Sequence, residues 1–459
     1  MKNAFVALTT GLMFFHYLNL FLGTHLLLVE ALFALGVLFL GFFLADVRQV
    51  IYAAALLTAA QLILWFEPPN PGSIITGFTQ LDLLIGLIVL TPVLGLVFDL
   101  RKYVDALVNL AARYIKNESG LYSSLTILYH IISSMLLVGS VPLMHEIMER
   151  MAPKPADERS LRMESTSILQ AFSTAGLWSP NFALVGLALT TGAKWRYFFP
   201  YALTLAFLAL AAGIYLQRRL YHGDPRPFTG QVPAWPSTRW DEKTTNRRAF
   251  EFGLFLLAFI GLVVGLEEVT GYGIISLVPS VALVVTTAIY TATTGPANLL
   301  RKLGTFLFES ITEKANLLII IIPAGFLGYA LTVTGLGQDL FGAFQQAVAA
   351  FSLDLLVALP LLIVALGFVG LDPVILLSIM AGSGITSTIT GVSPLLLSLA
   401  LVSGGAVSLA VAPFAGSTLI VANQVRRDPL TVGPKWNWPF GLSLFVLGQI
   451  LIQVLQRFS

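Results

Sequence analysis

Apolar runs of about 18 residues or more follow one another along this sequence, each long enough to cross the hydrocarbon core of a bilayer as a helix. That property removes most folds at once. In lipid every backbone N–H and C=O must be paired internally, which leaves helices and closed barrels. Barrel strands would read as alternating segments of about ten residues. The runs here are continuous instead. With 11% of its 459 residues charged and 56% hydrophobic, the chain falls far from the quarter-charged soluble domain. An all-α polytopic membrane protein is predicted.

Spans are expected at 4–22, 24–45, 49–66, 80–98, 166–192, 195–217, 249–266, 273–292, 315–333, 374–402, 406–424 and 438–457. This gives about 12 transmembrane helices. The first run resembles a signal peptide but has no clear small-residue cleavage site, and another run follows at once, so it reads as a span. Stretches 101–117 and 336–351 are amphipathic and suited to the interface.

Lys and Arg set the orientation. They cluster in 101–116, 150–162, 218–248 and 301–314 and are missing from 67–79 and 267–272. The basic loops are assigned to the cytoplasm, as are both termini, in a cell inner membrane. Two basic loops then flank the single apolar run 121–145. A re-entrant hairpin with Ser133, Ser134 and Gly139 near its tip reconciles them; a plain span with one basic loop outside is the alternative. The same count makes 353–370 a second hairpin, opening from the other side. Five cations remain outside on this topology: Lys194, Arg196, Arg426, Arg427 and Lys435.

Two octapeptides interrupt the apolar pattern: "STAGLWSP" at 173–180 and "STITGVSP" at 387–394. Proline removes a backbone donor and breaks a helix, and Gly176 and Gly391 ease non-helical dihedrals. Such a break is tolerable in a membrane only where it is buried in protein or lines a cavity. In secondary transporters, broken helices near the midplane aim partial positive charge at anions and freed carbonyls at Na⁺. Ser173, Thr174, Ser179, Ser387, Thr388 and Ser393 are therefore candidate substrate or ion ligands, with Asn181 and Thr390 beside them. A Na⁺ ion is the one cofactor entertained, near Ser173, Thr174, Ser387 and Thr388. The bland reading is two kinked helices whose hydroxyls bond their own carbonyls. "TTGA" (190–193) and "SGGA" (403–406) follow the two copies, and "APFAGSTLIVANQ" (412–424) is a third interrupted stretch, in which Asn423 either caps a helix or lines the cavity. The two copies run in opposite directions, which gives two inverted repeats: 23–217 and 249–424. They are joined by a cytoplasmic linker, 218–248, and flanked by single helices at 1–22 and 425–459.

Carboxylates within spans are few, which disfavours an obligate proton relay. Glu30 is expected near the outer interface, and Asp82, Asp99, Glu251 and Asp354 at span ends. Asp372, before Pro373, is the acidic candidate for cation coupling.

This layout resembles the ion transporter superfamily, which includes divalent-anion/sodium symporters, arsenite and sodium/proton exchangers, and membrane subunits of TRAP transporters. "GLDPVILLSIMAGSG" (370–384) is similar to the Asp-Pro stretch of the TRAP subunits. The resemblance implies re-entrant hairpins, midplane breaks, an elevator-like motion and a homodimer, and admits a soluble binding-protein partner. The Ser-Asn-Thr ligand motif of the divalent-anion symporters is absent here.

The expected function is secondary transport of a small organic or inorganic anion, coupled to Na⁺ or H⁺. A cation/proton antiporter is the alternative within transport. An enzyme is not expected. A glycan polymerase or ligase would need a large catalytic outer loop, and "HEIME" (145–149) lacks the second His of a zinc helix. The net charge of +2 gives no pull toward nucleic acid. The partners expected are a small-molecule substrate and the lipid bilayer.

Overall fold

The computed structural model describes residues 1–66, 71–115, 117–137, 140–151, 157–221, 241–383 and 390–458. Among them there is no β-strand. The helices are α1 (Lys2–Leu22), α2 (Leu27–Gly41), α3 (Val47–Phe66), α4 (Pro71–Thr79), α5 (Asp82–Leu90), α6 (Leu94–Arg101), α7 (Tyr103–Ala112), α8 (Glu118–Leu136), α9 (Ser140–Met151), α10 (Glu158–Trp178), α11 (Ala183–Leu189) and α12 (Trp195–Tyr221). The second half holds α13 (Glu242–Thr270), α14 (Ile274–Thr294), α15 (Pro296–Glu313), α16 (Ala315–Val333), α17 (Leu336–Ala350), α18 (Leu355–Val369), α19 (Pro373–Gly382), α20 (Pro394–Val411), α21 (Gly416–Gln424) and α22 (Trp436–Gln456). Nine spans among the described residues are long and apolar enough to cross a membrane, and α17 and α18 form a pair bent by 111°. The expected polytopic helical fold is present.

Helix starts are marked by short polar side chains that take up free N–H groups. Asn117 accepts from Gly120 N (2.7 Å), Asp157 from Ser160 N (2.8 Å) and Asp354 from Leu356 N (2.8 Å). Asp372 and Ser393 do the same for α19 and α20.

Side-chain contacts fix the directions of the helices. Tyr122 bonds Gln170 at 2.7 Å, His130 bonds Thr174 at 2.9 Å, and Ser179 reaches the Ser134 carbonyl at 2.6 Å. Both numbers rise together, so α8 and α10 run parallel. The arm between them must return, and it does. Residues 129 and 144 would lie about 22 Å apart in a straight helix, yet the Tyr129 hydroxyl donates to the Met144 carbonyl at 2.9 Å. Arg159 and Glu118, at the open ends of α10 and α8, pair at 2.6 Å. The α8–α9 hairpin therefore starts and finishes on one face, as expected for 121–145; its proposed tip residue Gly139 lies outside the described residues.

The second hairpin differs from expectation in extent. Segment 353–370 holds one helix, α18, and the reversal comes after it, at Gly370 (φ 105°). Gly404 of α20 packs on Pro360, and Gly367 of α18 on Ser408 and Ala412. Thus α18 parallels α20 and α19 is the returning arm.

The faces follow. Arg113 bonds Asn246 at 2.8 Å, which places α7, the hairpin ends and the start of α13 together on the basic side. On the other side Tyr272 reaches Leu20, Trp195 N reaches Glu267, and Arg196 pairs with Glu268. The two halves are inverted: Gly192 meets Pro394, Thr191 bonds Ser398 at 2.9 Å, and Gly405 packs on Leu184. One number rises as the other falls.

Two expectations change here. "SGGA" is not a break but the middle of α20, where Gly404 and Gly405 admit close neighbours. The chain breaks instead at 412–415, so α20 and α21 make one interrupted crossing where two were expected. One fewer crossing carries α22 the other way. Gly441 packs on Val411, Gly448 on Ser403, and Gln453 reaches Asp354. The two termini therefore lie on opposite faces rather than together. Arg426, Arg427 and Lys435 move to the basic face, which removes three of the five exceptions to the charge rule.

Candidate functional site

Each half contains a long helix that stops within the protein, a short bend carrying proline, and a short helix continuing the crossing. In the first half α10 ends at Trp178 and α11 begins at Ala183 around Ser179-Pro180-Asn181-Phe182. In the second, α20 ends at Val411 and α21 begins at Gly416 around Ala412-Pro413-Phe414-Ala415. The two bends share a geometry: Ser179 has φ −66°, ψ 126°, and Ala412 has φ −71°, ψ 128°. Each still donates its N–H back into the helix, to Ala175 and Ser408.

The first bend is fastened to the tip of the first hairpin. Ser179 Oγ donates to the Ser134 carbonyl (2.6 Å), and Asn181 Nδ2 donates to the same oxygen (3.0 Å). The Trp178 carbonyl, freed by the break, accepts from Trp195 Nε1 at 3.3 Å. One turn back, Thr174 bonds His130 Nδ1, and Trp178 Nε1 donates to His130 Nε2 at 3.2 Å. Ser173, Thr174, Ser179 and Asn181 are all fully buried. Asn181 Oδ1 has no partner among the described residues. A buried, unpaired polar atom costs about 1–3 kcal/mol, so such an atom at a helix break marks a place where a solute or ion can bond.

The second bend is fastened in the same manner. Asp372, at the second hairpin's turn, accepts from Val374 N (2.9 Å) and Gly416 N (3.2 Å). One carboxylate thus caps α19 and α21 together, and the helix dipoles favour its charge. Asp372 is expected to couple a cation; in the structure each of its oxygens accepts one hydrogen bond from a helix start. Ser417 Oγ takes the freed Leu409 carbonyl at 3.0 Å. Ser408 Oγ and Thr418 Oγ1 are buried and have no partner among the described residues.

The octapeptides are not counterparts. Pro394 lies beside Gly192, at the end of α11, whereas the level of Pro180 on α20 falls near Ala406, about 18 Å further along. Ser393 caps α20 through Leu396 N, and Thr390 Oγ1 accepts from Val392 N. Ser387 and Thr388 lie outside the described residues. Gly176 is helical and small for packing, since a Cβ there would sit 3.1 Å from the Phe182 ring; Gly391 does need its left-handed φ of 69°. Asn423 is exposed at the end of α21 rather than lining a cavity. The true partner of the first break is "APFA", which sequence reading singled out as broken-looking but did not pair. The shared signal was a proline just past the end of a long, buried helix in each half.

In fold, the chain is similar to a transporter. The crystal structure of the Alcanivorax borkumensis YdaH transporter superposes with a TM-score of 0.59 over 90% of this chain and 98% of that one, at 16% identity. No protein family and no curated protein matches the sequence. The fold is thus that of a polytopic membrane transporter, reached by a sequence very different from YdaH.

Two carboxylates stand apart from expectation. Glu30 and Asp82, read as interfacial, are each only 2% exposed. His145 of "HEIME" faces Glu164 of α10 and lies 3.8 Å from Glu149.

Proposed function

We propose that this chain is a secondary active transporter for a small anion, coupled to Na⁺ or H⁺, working by alternating access around the two helix breaks. The observation that carries this reading is the pair of inverted, interrupted crossings, each fastened to a hairpin from its own half, with Asn181 Oδ1, Ser408 Oγ and Thr418 Oγ1 buried and unpaired at the breaks. Irregular backbone at that depth is costly unless it handles a solute. Ser173, Thr174, Ser179 and Asn181 form the first half of the site in this proposal. Thr390 and Ser393, at the far end of α20 from its break, join only if that end moves toward the bends, and Ser387 and Thr388 stay in the proposal as candidate ligands. A Na⁺ ion near the hydroxyls, an inner-membrane location with the basic face inward, and a homodimer are parts of the same proposal.

Purified protein in liposomes tests it. An inward Na⁺ or H⁺ gradient is expected to drive uptake of at least one anion from a panel of dicarboxylates, oxyanions and aromatic acids. Asn181→Ala should weaken apparent affinity by roughly tenfold, the value of one charge-assisted bond. Proton exchange that needs no anion would instead support the cation/proton antiporter. Unchanged transport in a Ser173, Thr174, Ser387 and Thr388 quadruple Ala variant would end the site assignment.

A further inference from the structure

Away from the breaks, three first-half helices bring His16, Glu30 and Asp82 together, with one potential ligand atom from each within 4.8 Å of the others. His16 lies on α1, less than two turns before its end. Glu30 lies in the first turn of α2, and Asp82 opens α5 where the crossing is interrupted at residues 80–81. His16 Nδ1 and Glu30 Oε1 are 2.5 Å apart. Asn19 Nδ2 holds the other Glu30 oxygen at 2.6 Å, and Asn19 is itself fixed by Thr24 and the Leu26 N–H. Asp82 has no such support. Both its carboxylate oxygens are buried with no donor among the described residues beyond the neighbouring Glu30 carboxyl, and His16 Nε2 is buried without a partner among them.

From this we infer a binding site for a divalent transition-metal ion held by His16, Glu30 and Asp82. Two carboxylates packed together in an apolar interior carry a charge that costs several kcal/mol per ion unless compensated. No Lys or Arg pairs with either one among the described residues. A divalent cation cancels both charges and leaves the imidazole neutral, the form in which it binds metal. The donor set selects the ion. One nitrogen and two oxygens, with no sulfur in a chain of zero Cys, suit Zn²⁺, Co²⁺, Mn²⁺ or Fe²⁺ rather than Cu⁺, and the imidazole disfavours Mg²⁺ and Ca²⁺. Metal–ligand bonds near 2.1 Å set neighbouring donors about 3–3.5 Å apart, so the His16–Glu30 pair must open slightly while any wider separations within the 4.8 Å cluster close in. The existing His16–Glu30 hydrogen bond is exchanged for two metal bonds. Asn19 acts behind Glu30 as a positioning residue. The ion ties α1, α2 and α5 into one unit, and its binding does not depend on the transport proposal.

The test is Co²⁺ titration of the full chain, purified in detergent after chelator treatment and dialysis. Visible absorption from bound Co²⁺ is expected to saturate at one ion per chain, Zn²⁺ should displace it, and either ion should raise the thermal midpoint. Asp82→Asn and His16→Gln should each weaken binding by more than about tenfold and abolish the thermal shift, while Asp99→Asn, at the far end of the same crossing, should leave both unchanged. Absence of binding by the unaltered chain overturns the inference and leaves a shared proton as the compensation. Equal affinity in His16→Gln overturns it too, even if Asp82→Asn does not fold.

Discussion

The Ser134 carbonyl accepts two hydrogen bonds from one bend, and that redundancy defines what single substitutions can do. Removing the Ser179 hydroxyl leaves Asn181 in place, and removing the Asn181 amide leaves Ser179. Each single Ala variant should therefore lose about 1 kcal/mol of stability, while the double variant strands a buried carbonyl and should lose more than the sum. Thermal unfolding of the four proteins in one detergent measures this; strict additivity would show that the tip does not depend on the bend. Asp372 is the matching residue in the second half. It joins two helix starts that are far apart in sequence, and nothing in "LDPV" announces the second one. Sequence reading assigned it a cation because a carboxylate inside an apolar run invites that reading. A cap gives a carboxylate the same compensation through backbone dipoles, and only the fold tells the two apart.

At the scale of helices, glycine was the ambiguous letter. Gly404 and Gly391 look alike in an apolar sequence: Gly391 is expected to ease a helix break, and Gly404 falls between two expected spans. Only Gly391 takes a left-handed φ; Gly404 is helical, and a Cβ there would lie 2.6 Å from the Pro360 Cα. Because that neighbour is backbone, it cannot step aside cheaply. Gly404→Ala should therefore cost about 1–3 kcal/mol or shift α18 away from α20. Gly253→Ala, where a Cβ meets open space, should be neutral or slightly stabilising, since it removes backbone freedom from a helix interior. Denaturation midpoints compare them directly. The misplaced second break came from the repeated octapeptide, whose Pro394 opens a helix capped by Ser393 rather than interrupting one; the glycine ambiguity explains the extra crossing. Apolar length made the crossings legible, and loop charge made the first hairpin legible. Whether a Gly-Gly pair bends a helix or seats a neighbour depends on residues far away in the chain. Proline was no surer a guide: Pro180 and Pro413 mark the breaks, but Pro200, Pro279, Pro323, Pro360 and Pro439 lie inside unbroken helices, and Pro394 opens one.

For the molecule as a whole, the sidedness of the chain follows from one helix count. Joining α20 and α21 into a single crossing places the α1 start on the basic face and the α22 end on the other, and it returns Arg426, Arg427 and Lys435 to the basic side. The chain has no cysteine, so single introduced thiols report without background. Lys2→Cys and Arg426→Cys should be labelled by an impermeant maleimide from the same side of sealed vesicles, and Phe458→Cys from the opposite side. Labelling of Lys2→Cys and Phe458→Cys from one side would restore the two-crossing reading of 374–424. The hairpin fastenings matter at this scale as well. Each tip is bonded to the bend of its own half, and among the described residues no hydrogen bond joins either tip to the other half. A tip cannot swing open by itself without stripping a buried carbonyl or carboxylate of its donors. In the transport proposal each hairpin and its bent helix travel together, and the boundary between halves is where such blocks slide. The Thr191–Ser398 hydroxyl pair, with Ser398 also bonding the Ala188 carbonyl, is a stitch across that boundary: short, uncharged groups whose parting strands no charge.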